Sequence, residues 1–171
     1  MDQKQTFENK KLEFVMLNLF HLSAQNLSHE QVIINVIAYN NLYKQIIGVP
    51  GCILEFGVQW GATLAQLISL RGIYEPYNYK RHIYGFDTFE GFVNTSPDKD
   101  GAHLSDGDYC VYDGYENQLE EILSLHEANC PISHIRKFSL IKGDASYTSK
   151  QWLKDNPPPL VFTGNFPPGA A

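Results

Sequence analysis

The 171-residue sequence predicts an α/β protein: a parallel sheet with helices on both faces, preceded by an N-terminal helical extension and incomplete at its C-terminus. Three observations carry this reading. Short apolar runs alternate with stretches whose apolar residues recur at helical spacing, the order expected of βαβ units. The first run hands over directly to Gly57 and Gly61, glycines at a strand-to-helix turn. Finally, once the N-terminal helices are set aside, too few residues remain for a complete doubly wound sheet.

Residues 1–48 read as the helical extension. The apolar stretch at 12–20 is interrupted by Glu13 and Asn18 and has no small-residue cleavage site, so it does not have the form of a secretory signal. Ser28 and Gln31 have the S-x-x-Q form of a capping box, in which each side chain satisfies a backbone N–H at a helix start. Behind them Val32/Ile33, Val36/Ile37, Tyr43 and Ile46/Ile47 predict one apolar stripe, ended by Gly48 and Pro50.

Residues 49–156 read as the α/β domain. The run 52–56 is mostly apolar and suits a buried parallel strand. A helix follows over 63–70, with Leu64, Leu67 and Ile68 on one face, and then a second strand at 82–87. A polar loop rich in Asp, Gly and Ser spans 94–113. The next helix, 115–127, turns Leu119, Ile122 and Leu123 inward, with Asp113 and Glu116 as its cap. A third strand at 139–142 ends at Gly143-Asp144, and Thr148 with Gln151 forms a capping box for a short helix holding Trp152 and Leu153. In the tail, 157–171, three prolines stop that helix. Leu160-Val161-Phe162 is a candidate fourth strand, and the Pro-rich end cannot pair in a sheet interior.

Composition removes several classes of function. With 13 Lys+Arg against 19 Asp+Glu the net charge is −6, which argues against a phosphate-backbone binder and so against a nucleic-acid partner. No apolar run reaches the roughly 18–20 residues that span a bilayer, so no membrane association is expected. Cys52, Cys110 and Cys130 are odd in number and far apart, unlike a disulfide scaffold. The expectation is a soluble, cytoplasmic protein.

Chemistry concentrates in three loops. In Glu55-Phe56-Gly57-Val58-Gln59-Trp60-Gly61-Ala62-Thr63 an acid ends the first strand, Gly57 permits a sharp turn, and the following helix aims unpaired N–H groups at the same spot. The spacing is G-x-x-x-G rather than the dinucleotide G-x-G-x-x-G, and Gln59-Trp60 obstructs a pyrophosphate there, which disfavours a nicotinamide-dependent oxidoreductase. In Tyr84-Gly85-Phe86-Asp87-Thr88-Phe89-Glu90-Gly91-Phe92 the acid at the second strand's tip stands where it accepts ribose hydroxyls. Gly143-Asp144-Ala145 follows the third strand and is in reach of an adenine amino group, although Gly-Asp pairs also mark ordinary turns.

At these three loops the sequence resembles the S-adenosylmethionine-dependent methyltransferases with a Rossmann-like fold, and more narrowly the macrocin O-methyltransferase-like family, which methylates sugar hydroxyls of natural products. Besides the two longer motifs, Asp100-Gly101, Gly107-Asp108-Tyr109 and Lys142-Gly143-Asp144-Ala145 fit the pattern, and the G-F-D-T-F-E-G-F run is the most specific part. The resemblance covers roughly residues 47 to 153. It implies a methionine subsite at Glu55, Gly57, Val58, Gly61 and Thr63, a ribose subsite at Asp87 with Thr88 and Phe89, and an adenine subsite at Gly143, Asp144 and Ala145. It also implies a small-molecule acceptor.

The chain departs from the family where a D-x-D-L-Y type motif would supply metal ligands. Residues 160–166 carry no carboxylate there, so Mg2+, possible in the family, finds no ligands in this sequence. The expected function is therefore methyl transfer to a hydroxyl of a small glycosylated metabolite, or, as the alternative, a C-terminally truncated, catalytically inactive module that binds S-adenosylmethionine. An uncovered edge beside the first strand leaves homo-oligomerisation open. No catalytic base is assigned, and His103 in the polar loop is the residue to test. Two metal patterns fail on spacing. A calcium loop starting at Asp98 would need Gly and Glu where His103 and Tyr109 stand, and Pro131 breaks the helix that would align His126, Cys130 and His134 for zinc.

Overall fold

The computed structural model describes residues 29–93, 95–96, 103–156 and the strand at 161–164. Ser28, Asp98, Asp100, Gly101, the three prolines and Asn165 lie outside the described residues, so the first capping box and the calcium loop are not addressed by it. Among the described residues four helices and four strands alternate: α1 (His29–Ile46), β1 (Ile53–Phe56), α2 (Ala62–Tyr74), β2 (Ile83–Asp87), α3 (Tyr115–Ala128), β3 (Phe138–Lys142), α4 (Ala145–Asp155) and β4 (Val161–Gly164).

All strands pair in parallel, in the order β3-β2-β1-β4. The register sets Glu55 opposite Gly85 on one side and Thr163 on the other. From β1 the chain steps outward to β2 and β3, then crosses back to place β4 on the far side of β1. A right-handed crossover sends its helix to opposite faces for opposite directions of travel. Accordingly α1, α2 and α3 cover one face and α4 the other, as the sequence predicts.

The alternation of the strands divides the core in two. Ile53, Ile83 and Phe138 join Leu64, Leu67 and Ile68 of α2 and Leu119 and Leu123 of α3 in the larger cluster. Leu54 and Phe86 turn the other way, onto Trp152 of α4. Gly85 is required here, since a Cβ would sit 2.5 Å from Leu64 Cδ1 and 2.8 Å from Val58 Cγ2.

Several local expectations are corrected. The apolar stripe of α1 is not one buried face. Tyr39, Tyr43 and Ile46 pack on the core, whereas Ile33, Val36, Ile37 and Ile47 are exposed, because only the second half of α1 lies against α2. There Tyr43 stacks on Tyr74, and the Tyr74 hydroxyl donates to Asn40 Oδ1 at 2.7 Å. Helix α2 runs on to Tyr74 through Arg71 and Gly72, since Gly72 makes room for the Cys130 thiol, which a Cβ would approach to 2.6 Å. The cap of α3 is Gly114 with no side-chain bond, not Asp113. The cap of α4 is Asp144, which accepts from Ser146 N at 2.8 Å, and Thr148 sits one turn inside, donating its hydroxyl to Asp144 O.

Candidate functional site

The carboxyl ends of β1, β2 and β3 carry the three predicted loops to one place, and the chain's reversal between β1 and β4 opens the sheet there. In open α/β sheets this switch point is where ligands bind. Gly57 turns the chain out of β1 at φ 77°, and its N–H donates to Phe86 O at 3.0 Å. Gln59 follows with φ 47°, a left-handed conformation uncommon for a residue with a Cβ. Gly61 caps α2 at φ 74° with no side-chain hydrogen bond, so the first N–H groups of that helix have no side-chain acceptor supplied by their own cap. A Cβ on Gly61 would meet Leu119 Cδ1 at 2.3 Å, which draws α2 tightly against α3.

Asp87 is the stitch between the loops. Its Oδ2 accepts from Gln59 N at 2.7 Å and its Oδ1 from Phe89 N at 2.6 Å, while its backbone carbonyl accepts from Gly143 N at 2.8 Å. One residue at the tip of β2 therefore ties the turn after β1, its own turn and the turn after β3. An ionised carboxylate has about four acceptor sites, so these two N–H groups leave capacity for further donors.

Glu55 lies beneath this stitch, 2% exposed. Thr63 of α2 donates its hydroxyl to the carboxyl, and Oε2 has no hydrogen-bond partner among the described residues. Burial pushes its pKa well above the ordinary carboxylate range, Asp87 adds repulsion in the same direction, and the Thr63 bond opposes them. A buried acid with one unmade hydrogen bond at the carboxyl end of β1 makes Glu55 a candidate binding residue.

The other predicted residues divide by what they touch. Val58 is buried in the core beneath the turn, so any ligand contact there belongs to its backbone. Thr88 closes its own turn, its hydroxyl donating to Gly91 O at 2.7 Å, and Phe89 is buried at φ 60°. Asp144 is exposed and spends one oxygen capping α4, and Ala145 packs on the smaller core cluster. His103 is exposed in the loop between β2 and α3. The neighbouring aspartates shape that loop: Asp106 Oδ1 accepts from both N and Oγ1 of Thr95, and Asp108 Oδ2 from Ser105 N.

His126, Cys130 and His134 do not converge. His126 Nδ1 meets Ser69 Oγ at 3.3 Å, and the Cys130 thiol donates to His126 O and Ile68 O. Among the described residues no group of three or more His, Cys, Asp or Glu is placed to hold a metal ion, so Mg2+ is assigned to none of them. Likewise no described helix is long and apolar enough to cross a membrane.

One feature of the site escapes the sequence reading. Trp60, in the turn after β1, stands edge-on to Tyr115 with centroids 5.0 Å apart and 6.3 Å from Tyr112. The Tyr115 hydroxyl donates to Trp60 O at 3.0 Å, and Gln59 Nε2 donates to Tyr109 O at 3.4 Å. The available signal is the spacing of Tyr109, Tyr112 and Tyr115 at intervals of three, just before and into α3.

The parallel sheet with helices on both faces and a switch point between β1 and β4 makes this a Rossmann-like α/β domain. No family model and no curated protein matches the chain. Among solved structures, CalS11, a calicheamicin methyltransferase, is 31% identical, with a TM-score of 0.73 over 95% of this chain and 68% of that one. The apo structure of CalS11, described as a TDP-rhamnose 3'-O-methyltransferase of calicheamicin biosynthesis, is 29% identical, with a TM-score of 0.63 over 95% and 67%. The chain belongs to the methyltransferase family that includes CalS11.

Proposed function

We propose that this chain is an S-adenosylmethionine-dependent O-methyltransferase domain of the macrocin type, which methylates a hydroxyl on the sugar of a small glycosylated molecule. The observation that carries the reading is Glu55, a buried carboxyl with an unpartnered oxygen at the switch point, directly below the loops that Asp87 joins. CalS11's action on TDP-rhamnose supports a sugar acceptor.

The residues present suit S-adenosylmethionine. Glu55 offers Oε2 to the ammonium of the methionine moiety, whose positive charge opposes the burial that raises the pKa of the carboxyl. The N-terminus of α2, capped only by Gly61, favours the methionine carboxylate. Asp87 keeps acceptor capacity for ribose hydroxyls, and Gly143, Asp144 and Ala145 border the adenine. When bound, the cofactor supplies an electrophilic methyl group on a sulfonium. The protein's contribution is alignment of donor and acceptor, which alone is worth several orders of magnitude in rate. The acceptor hydroxyl must also lose a proton, and His103 is the side chain to test as its base.

Calorimetric titration with S-adenosylmethionine, S-adenosylhomocysteine and NADH tests the reading. Saturable binding of the first two and none of the third is expected, and Asp87→Ala should weaken binding at least tenfold. Full affinity in Asp87→Ala removes the ribose assignment, and a folded chain that binds neither sulfur compound refutes the whole proposal. Methyl transfer to TDP-rhamnose then separates a working enzyme from a module that only binds.

A further inference from the structure

Beside the cofactor crevice the structure holds an aromatic cluster that no step above uses. Tyr112 is 51% exposed and Tyr109 66%, while Trp60 is half-buried. Tyr115 is fully buried and serves as the floor for Trp60 and Tyr112, 5.0 Å from the first and 5.1 Å from the second, both edge-to-face. Tyr112 is further held by its hydroxyl, which donates to Gln118 Oε1, and Tyr109 packs edge-on to Phe92 at 5.5 Å.

Two features argue that the cluster is built for a ligand rather than left over from packing. First, its placement depends on strained backbone. Gln59 at φ 47° and Tyr109 at φ 63° are both left-handed without being glycine, and the side chain of one bonds the carbonyl of the other. Such conformations persist where the surroundings enforce them, and they gather at binding sites. Second, it is continuous with the crevice, because the residue preceding Trp60 gives its N–H to Asp87. Trp60 also lies between Gly57 and Gly61, the turn assigned to the methionine end, which is where an acceptor hydroxyl has to arrive.

We infer that Trp60, Tyr112 and Tyr109 form the acceptor subsite, a wall against which the pyranose ring of the sugar lies. The inference rests on the methyltransferase reading above and adds to it the surface that selects the acceptor. A pyranose ring presents a face of C–H bonds whose positive hydrogens suit the negative π face of an aromatic ring. Its hydroxyls stay at the periphery, within reach of polar partners. Aromatic side chains supply such a surface at low entropic cost, since the floor and the Gln118 bond already fix two of them.

The test uses Trp152→Phe protein, which leaves Trp60 as the single tryptophan of the two and keeps an aromatic ring between Leu54 and Phe86. Trp60 fluorescence is followed with TDP-rhamnose, methyl rhamnoside and TDP, each with and without S-adenosylhomocysteine. Saturable change with both rhamnose compounds and none with TDP is expected. In calorimetry Tyr112→Ala and Trp60→Leu should weaken TDP-rhamnose at least tenfold while S-adenosylhomocysteine affinity stays within twofold. A response to TDP equal to that with TDP-rhamnose would mean that the wall takes the base, and would overturn the inference. So would unchanged TDP-rhamnose affinity in the folded Tyr112→Ala protein. Failure of S-adenosylhomocysteine to bind refutes the cofactor reading instead, and is read independently of Trp60.

Discussion

Glu55 shows how one buried side chain links the fold to pH. Its pKa is raised from the ordinary 4.5, first by burial and then by Asp87, so the folded protein holds a proton there that the unfolded chain releases. That contribution to stability is complete below about pH 4.5 and fades as pH climbs through the raised pKa. His82 and His126 act in the opposite direction. Burial lowers both from 6.5 to about 4, so they stay neutral when folded, and their contribution is lost as pH falls from 6.5 towards 4. The Glu55 contribution falls as pH rises above 4.5 and the histidine contribution falls as pH drops below 6.5, so the two effects oppose each other. Glu55→Gln keeps the shape and removes the proton equilibrium. The melting temperature of the wild type should therefore fall relative to Glu55→Gln as pH rises above 4.5, in thermal denaturation followed by circular dichroism; both proteins carry the same histidines, whose effect cancels in the comparison. Parallel curves for the two proteins would mean that Glu55 ionises at its ordinary value.

At the scale of elements, two helix starts pose the same backbone problem with different surroundings. Gly61 and Gly114 both cap a helix in the left-handed region, at φ 74° and 79°, without a side-chain hydrogen bond. A Cβ on Gly114 meets nothing within 4 Å, whereas one on Gly61 would strike Leu119 at 2.3 Å. Gly114→Ala should thus cost only the left-handed conformation, about 1–2 kcal/mol. Gly61→Ala adds overpacking of about 1–3 kcal/mol, and urea denaturation of both variants should resolve the difference. The same pair marks the limit of what the sequence reveals. The strands β1, β2 and β3 and the turn at Gly57 were legible because short apolar runs ended in glycines and acids. The bond from Gln59 N to Asp87 was not, although both residues lay in the predicted loops, because it depends on a left-handed Gln59. The helix read over 63–70 stopped short of Arg71 and Gly72, whose places in α2 are explained by distant partners, Glu127 for one and the Cys130 thiol for the other. The aromatic wall was hidden for the same reason. Trp60 and Tyr112 meet only after two turns have folded against each other.

Across the whole molecule, the two ends of the sheet are held by different forces. The carboxyl ends of the strands are joined by N–H groups that converge on Asp87, an arrangement with room for a ligand. The amino ends are locked by buried ions. Arg71 of α2 bonds Glu127 of α3 at 2.5 Å, Lys137 pairs with the same carboxylate at 2.6 Å, and Arg71 also donates to Lys137 O at 2.7 Å. Beside them Arg81 grips Glu75 with two bonds and donates to Gly51 O and to Ile46 O, the last residue of α1. Removing one member of such a buried set leaves uncompensated charge, a loss of about 3–5 kcal/mol. Glu127→Gln strands both Arg71 and Lys137, so its melting temperature should fall by about 10 °C for a chain of this size. Its S-adenosylhomocysteine affinity, measured well below that temperature, should stay within twofold of wild type, because Glu127 stands at the opposite end of the sheet from Asp87. Asp87→Ala should show the converse, a large loss of affinity with a smaller loss of melting temperature. If Glu127→Gln weakened binding as much as Asp87→Ala, the two ends would be energetically coupled, and the division between a structural pole and a binding pole would be wrong.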